Sequence, residues 1–206
     1  MKFGILLFDG VEPIDLAALG ALSIAKRFEP TIETCVISTG EHNKVTLACN
    51  VKIDAEFTIK DAPECDVYLI AGGPTWKEEI QREQTLEFIR SKSRSAILGA
   101  ACMGVTLLAA AGVLDNKKAT LRNQTSGTEE NPIEYVKRQW PATDPVVAHI
   151  VDQGRIVTGG GGVLNLDVAL YLLERLYSKE LAQNTGRILE YNEAYMANAD
   201  RLGILK

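Results

Sequence analysis

One cysteine stands where a strand-like apolar run passes straight into a helix-like run of small residues: Ala96-Ile97-Leu98-Gly99-Ala100-Ala101-Cys102-Met103-Gly104-Val105. A nucleophile elbow needs this arrangement, because its side chain occupies a strained turn where neighbouring side chains must be small. Gly104 lies two residues after the cysteine, as in the elbow pattern, and Ala100 stands where an earlier glycine is usual. The following helix would point backbone N–H groups and the positive end of its dipole at the sulfur. Such a helix end contributes up to ~2 kcal/mol, roughly one pKa unit, which predicts a thiol moved from ~8.5 towards neutrality. The same N–H groups could form an anion or oxyanion pocket. Taken alone, the pattern suits a small buried hydrophobe as well as a reactive thiol.

The other chemistry-bearing residues are sparse. Cys35 falls on a strand, Cys49 before an edge strand and Cys65 in a loop; none has an elbow, and all three read as structural. The four cysteines show neither CxxC nor zinc-ligand spacing, so free thiols are expected rather than a disulfide framework. With only His42, in a surface turn, and His149, on a strand, no metal centre is indicated, and a Cys-His-Asp triad is not expected.

The elements that must position Cys102 can be read from apolar patterning. Lys2–Phe8 is a buried strand, and an apolar helix runs from Asp15 to Phe28 after the breaker Pro13. Thr31–Ser38 is a second strand, Val45 to Ile53 a small hairpin turning at Asn50, and Asp66–Ile70 a third core strand ending in Ala71-Gly72-Gly73-Pro74. Glu83–Lys92 is an amphipathic helix with Leu86 and Ile89 inward, Ser95–Ala100 a fourth buried strand, and Met103–Ala111 a helix closed by Gly112. Asn131-Pro132 starts a helix. Val146–Val151 and Arg155–Thr158 form a hairpin, the glycine run Gly159–Gly162 leads into a helix from about Asn165 to Tyr177, and one further helix closes the chain. Alternating strands and helices predict an α/β fold, a mostly parallel central sheet with helices on both faces. No repeat or linker interrupts it, so residues 1–206 read as a single domain.

Composition narrows the function classes. Of 206 residues, 46% are hydrophobic and 24% charged, ordinary for a soluble globular chain. The net charge of −5, with no basic stripe, argues against nucleic acid. The first apolar run ends at Asp9, too short for a secretory core, and no run spans a bilayer. A cytoplasmic protein without membrane contact is expected.

Four segments, in order, resemble the ThiJ/PfpI superfamily of the class I glutamine amidotransferase-like fold: Phe8–Leu16, Tyr68–Gly73, Ala101–Gly112 and Thr158–Leu170. Cys-x-Gly followed by Ala-Ala-Gly-Val-Leu, and Thr-Gly-Gly-Gly followed by Leu-Asp-x-Ala-Leu, are most similar to the isonitrile hydratase branch. The resemblance implies a flavodoxin-like three-layer sandwich, a homodimer, a small-molecule substrate and no cofactor. It makes Cys102 the nucleophile of a lyase that hydrates an isonitrile to an N-substituted formamide. Relatives place an acid from the first strand–helix loop beside the cysteine. Asp15, which also reads as a helix N-cap, is favoured as the acid/base over Glu12, a neighbour within the site that otherwise reads as a solvated loop residue. Gly72, Gly73, Met103 and Gly160 are expected to bind substrate through their backbones. Asp167 is expected to support its helix, and Trp76 and Trp140 to pack.

Two departures stand out. Met103 replaces the histidine of protease-like members and the threonine usual in isonitrile hydratases. Leu121-Arg122-Asn123 replaces the Thr-His-Trp of that branch. Alternatives left open are another thiol enzyme, acting on amides or dicarbonyls, and a redox-sensing or ligand-binding module. The end of the chain at Lys206 leaves no room for a helix-turn-helix, which speaks against a stand-alone transcription factor.

Overall fold

The computed structural model describes all residues 1–206. Lys2–Leu7 forms β1, buried from Phe3 onward on both faces rather than alternately, as a central parallel strand must be. Gly4 in β1 is required for space: a Cβ there would sit 2.9 to 3.1 Å from Ile37, Tyr68 and Cys65 side chains. The chain continues through a 3-10 turn, Pro13–Leu16, into α1 (Ala17–Ala25) and β2 (Glu33–Ser38). The predicted hairpin is present as β3 (Lys44–Thr46) and β4 (Lys52–Asp54), with Asn50 at φ 65°. Then follow β5 (Phe57–Thr58) and β6 (Val67–Ile70), the short α2 (Trp76–Glu79), α3 (Glu83–Lys92), β7 (Ile97–Ala101) and α4 (Gly104–Ala110).

Beyond the elbow lie β8 (Lys118–Ala119), α5 (Pro132–Gln139), β9 (Asp144–Pro145), β10 (Ile150–Asp152), β11 (Ile156–Gly159) and α6 (Leu164–Leu176). Asn131 caps α5 by accepting from the Ile133 N–H. The carboxyl-terminal region holds two helices where one was expected, α7 (Lys179–Ile188) and α8 (Asn192–Leu202), followed by β12 (Ile204–Leu205). Gly203, at φ 75°, turns the chain so that β12 pairs in parallel with β10.

The main sheet runs β12-β10-β11-β7-β6-β1-β2-β5, parallel throughout except for the β10–β11 hairpin. The fold is the expected α/β sandwich: α1, α6 and α7 pack on one another, and α4 packs on α2 and α3. β6 and β7 are neighbours at its centre, so the loop after Ile70 and the elbow after Ala101 emerge side by side at their carboxyl ends. In an open parallel sheet that edge is where ligands bind.

Candidate active site

Cys102 has φ 53°, the left-handed region that an L residue occupies only under constraint. The constraint is visible. Its N–H donates to the Gly160 carbonyl at 2.6 Å, tying the elbow to the loop after β11. Gly104 begins α4 pressed against the end of β6: a Cβ there would lie 2.5 Å from the Ile70 carbonyl oxygen. The glycine two residues after the cysteine, which marked the elbow in the sequence, is therefore a packing requirement.

Asp15 arrives from the 3-10 turn. Its backbone carbonyl accepts from Asn165 Nδ2 at 2.8 Å, and its Oδ2 accepts from the Gly72 N–H at 2.5 Å. It caps no helix; α1 begins two residues later with Leu16 at its N-cap. Oδ1 is buried without a partner. Burial pushes the Asp15 carboxyl up to about 7, against the Gly72 N–H, which lowers it; the charge of Glu12 adds to the rise. A carboxyl in this state can hold or accept a proton near neutral pH.

Cys102, Asp15, Glu12, Met103 and Gly73 all line one cavity of about 390 Å³, together with Ile14, Pro74, Trp76, Arg122, Glu129 and Gly162. Two of the predicted backbone contributors take other places. The Gly72 N–H is spent on Asp15, and its carbonyl accepts from the Glu12 N–H at 2.9 Å, so Gly72 positions the acids. Gly160 is outside this cavity and fixes Cys102 through its carbonyl; Gly162 lines the cavity instead. Gly73 must be glycine because a Cβ there would be 2.2 Å from the Gly10 carbonyl oxygen.

The thiol departs from expectation in direction. Cys102 is 8% exposed, and burial followed by the charge of Asp15 raises its pKa. The backbone N–H groups of Gly162 and Met103 and the Arg122 guanidinium pull the other way without prevailing. The short α4 helix does not outweigh desolvation.

No imidazole lines the cavity. His149 lies just before β10 rather than on a strand, fully buried, with Nε2 2.6 Å from Asp167 Oδ2. Asp167 also accepts from Asn198 at 3.1 Å, so it ties α6 to α8 and to the β10 entry rather than only supporting its own helix. Arg122 and Glu129 close the cavity as an ion pair. Trp76 packs edge-on against Tyr135, as expected of a packing residue, and also forms part of the cavity wall. Nothing local in the sequence marks Glu129 or Asn165 as site residues, both being distant in the chain; Arg122 stands out there only by its departure from the relatives' pattern.

Cys35 and Cys65 are buried with their sulfurs 3.7 Å apart, Cys49 is exposed, and all four cysteines are free. No helix is long and apolar enough to cross a membrane.

Comparison with known proteins accords with this architecture. The chain is 29% identical over 195 residues to isonitrile hydratase of Pseudomonas putida, covering 94% of this chain and 80% of that protein. It is 24% identical to DJ-1 homolog A of Arabidopsis thaliana over 87% of this chain but only 44% of the relative. Among solved structures, a ThiJ/PfpI family protein from Pseudomonas syringae superposes with a TM-score of 0.80 at 20% identity, over 93% of this chain and 75% of that one. Oxidized DJ-1 of Toxoplasma gondii gives 0.76 at 21% identity, over 93% and 98%. The DJ-1/PfpI family pattern matches residues 1–175, from β1 through nearly all of α6, and the chain belongs to that family.

Proposed function

We propose that this protein is a cysteine-dependent lyase that adds water to an isonitrile to give an N-substituted formamide. The observation that carries the reading is one cavity holding Cys102 beside the buried Asp15 carboxyl, which burial pushes up to about 7 and whose Oδ1 has no partner. The terminal carbon of an isonitrile must receive a nucleophile and a proton at the same atom, and a thiol paired with such a carboxyl supplies both.

The thiol proton passes to Asp15 while sulfur bonds to the terminal carbon, and Asp15 returns that proton to the carbon, giving a thioformimidate. Asp15, ionised again, takes a proton from water as its oxygen bonds to the same carbon, and then delivers that proton to nitrogen. The carbon–sulfur bond breaks, the remaining hydroxyl proton returns to sulfur, and the formamide leaves. The backbone N–H groups of Gly162 and Met103 and the Arg122 charge, which favour the thiolate, hold the sulfur in its anionic phase. The similarity to isonitrile hydratase supports the same reading.

Two observations count against the other thiol chemistries. Amide hydrolysis needs a proton donor for an amine leaving group, usually an imidazole, and His149 is occupied elsewhere. Peroxide sensing needs an accessible thiolate, whereas Cys102 is buried with its thiol pushed up. Incubating the purified protein with an alkyl isonitrile and following formamide by proton NMR tests the proposal. Formation above a Cys102→Ala control is expected. Turnover of a peptide amide or methylglyoxal with the isonitrile untouched would overturn it.

A further inference from the structure

A second cavity, of about 490 Å³, shares Arg122 with the first but opens between the loop after β8, the loop before β10, the loop after β11 and α8. Its volume falls within the range of small-molecule sites. In a chain with more carboxylates than cations, its lining is unusual: the only ionisable residues are Arg122 and Arg201. Asn123 and Gln124 add amides, and Val147 and Leu164 add apolar wall.

The frame is built rather than incidental. Thr120 Oγ1 donates to the Ala148 carbonyl at 2.9 Å and accepts from the Ala148 N–H at 3.2 Å, locking two of the loops together. The Thr120 N–H donates to Thr158 Oγ1 at 2.9 Å. On the remaining side, Asn198 ties α8 to the His149–Asp167 pair. Arg122 lies with its stem flat on Gly161, where a Cβ would be 2.7 Å from Cγ, and its Nε is buried without a partner. Arg201 makes one side-chain hydrogen bond, at 3.3 Å, to the neutral amide of Asn198, and its remaining donors are free. Glu129 pairs with Arg122 Nη2 only, so the buried Nε of Arg122 and the exposed, largely unpaired guanidinium of Arg201 remain without a carboxylate, the planar anion that a guanidinium matches best.

From this lining we infer that the second cavity binds a small organic carboxylate with a short hydrocarbon body, the anion against Arg201 and the donors of Arg122 that Glu129 leaves free, and the hydrocarbon against Val147 and Leu164. A carboxylate is favoured over a phosphate because much of the wall is apolar. The inference does not rest on the isonitrile chemistry, and it is tested without turnover.

Isothermal titration of the full chain with hexanoate, at low salt, is expected to show saturable binding of one equivalent. Arg201→Gln should weaken it about ten- to hundredfold, the weight of one charge-assisted hydrogen bond. Val147→Trp, at a position already 55% exposed, should block the cavity without disturbing the fold, which an unchanged melting temperature verifies. Cys102→Ala should bind as the parent does, showing that the first cavity is not the site. The inference is overturned by absence of saturable binding, by equal affinity in Arg201→Gln, or by inorganic phosphate binding as tightly as hexanoate. It is equally overturned if hexanoate does not bind and Val147→Trp converts a dimer to a monomer in sedimentation velocity, since a second copy of the chain would then be the occupant.

Discussion

Replacing Asp15 by Asn should stabilise the protein at alkaline pH while removing its activity. Asn keeps the volume and the oxygen that accepts from Gly72, but it cannot ionise. The wild-type carboxyl is 1% exposed, and burial lifts it from 3.8 to about 7. About three units at ~1.36 kcal/mol each is about 4 kcal/mol between the protonated and ionised forms in the fold. Between those two pKa values the unfolded chain has released a proton that the folded chain still holds. The stabilising contribution of Asp15 is therefore complete below 3.8 and is lost as pH rises through about 7.

The Asp15→Asn variant lacks this dependence. Its stability relative to wild type should rise by about 2 to 3 kcal/mol between about pH 5 and about pH 8. For a chain of this length that corresponds to roughly 5 to 10 °C in melting temperature. Urea titrations of both proteins at matched pH read the difference, from which titrations common to both cancel. In the same preparations formamide production should fall by ~10² to 10⁴, the usual contribution of a general acid–base group. A constant offset between the two stability curves across pH would refute the reasoning, because Asp15 would then ionise as easily folded as unfolded.

Other perturbations have equally definite outcomes. Gly73→Ala drives a Cβ against backbone at Gly10 and Val11, which cannot swing aside, and should cost about 1 to 3 kcal/mol in chemical denaturation. Gly20→Ala in α1, with nothing within 4 Å of its Cβ, should instead gain roughly 0.5 to 1 kcal/mol. Arg122→Gln removes a charge that lowers the Cys102 thiol, so the midpoint of iodoacetamide alkylation against pH should move upward; an unmoved midpoint would separate Arg122 from the sulfur. His149→Ala leaves the Asp167 carboxylate buried without its ring partner and should cost about 3 kcal/mol, yet leave turnover per folded molecule unchanged because His149 lies outside the cavity.

The parts of this site that the sequence made legible are those written locally. The elbow is legible because Gly104 must be small where β7 meets α4, pressed against the end of β6. The bounds of α3 coincide with the predicted Glu83–Lys92 because its apolar face repeats at helical spacing. Asn50 and Gly112, at φ 65° and 71°, mark turns through their own backbone preference. What was illegible depends on distant neighbours. The sequence pattern makes Asp15 the start of a helix, but Pro13 starts a 3-10 turn that aims the Asp15 carboxyl at Gly72, 57 residues away. Ile204–Leu205 is too short to announce itself as a strand and exists because β10 offers an open edge. The direction of the thiol pKa differs from expectation for the same reason: the helix dipole is visible in sequence, whereas the depth of Cys102 and the charge of Asp15 beside it are not.

The raised thiol has a mechanistic consequence. A thiol primed by a helix end would stand as a thiolate before substrate arrives, and any electrophile or peroxide would consume it. Here burial disfavours charge on both Cys102 and Asp15, and the charge of Asp15 raises the thiol further. The site therefore resists carrying two negative charges, so removing the proton from sulfur is tied to placing it on the carboxyl. Under the proposed chemistry this coupling is an advantage, because the proton that Asp15 takes from sulfur is the one the isonitrile carbon must receive. A pH–rate profile of the hydration should then rise and fall around the Asp15 midpoint of about 7 rather than climb to the higher thiol pKa. A rate that increases monotonically with pH well past that midpoint would mean that the free thiolate is the working form and that Asp15 is only its neighbour.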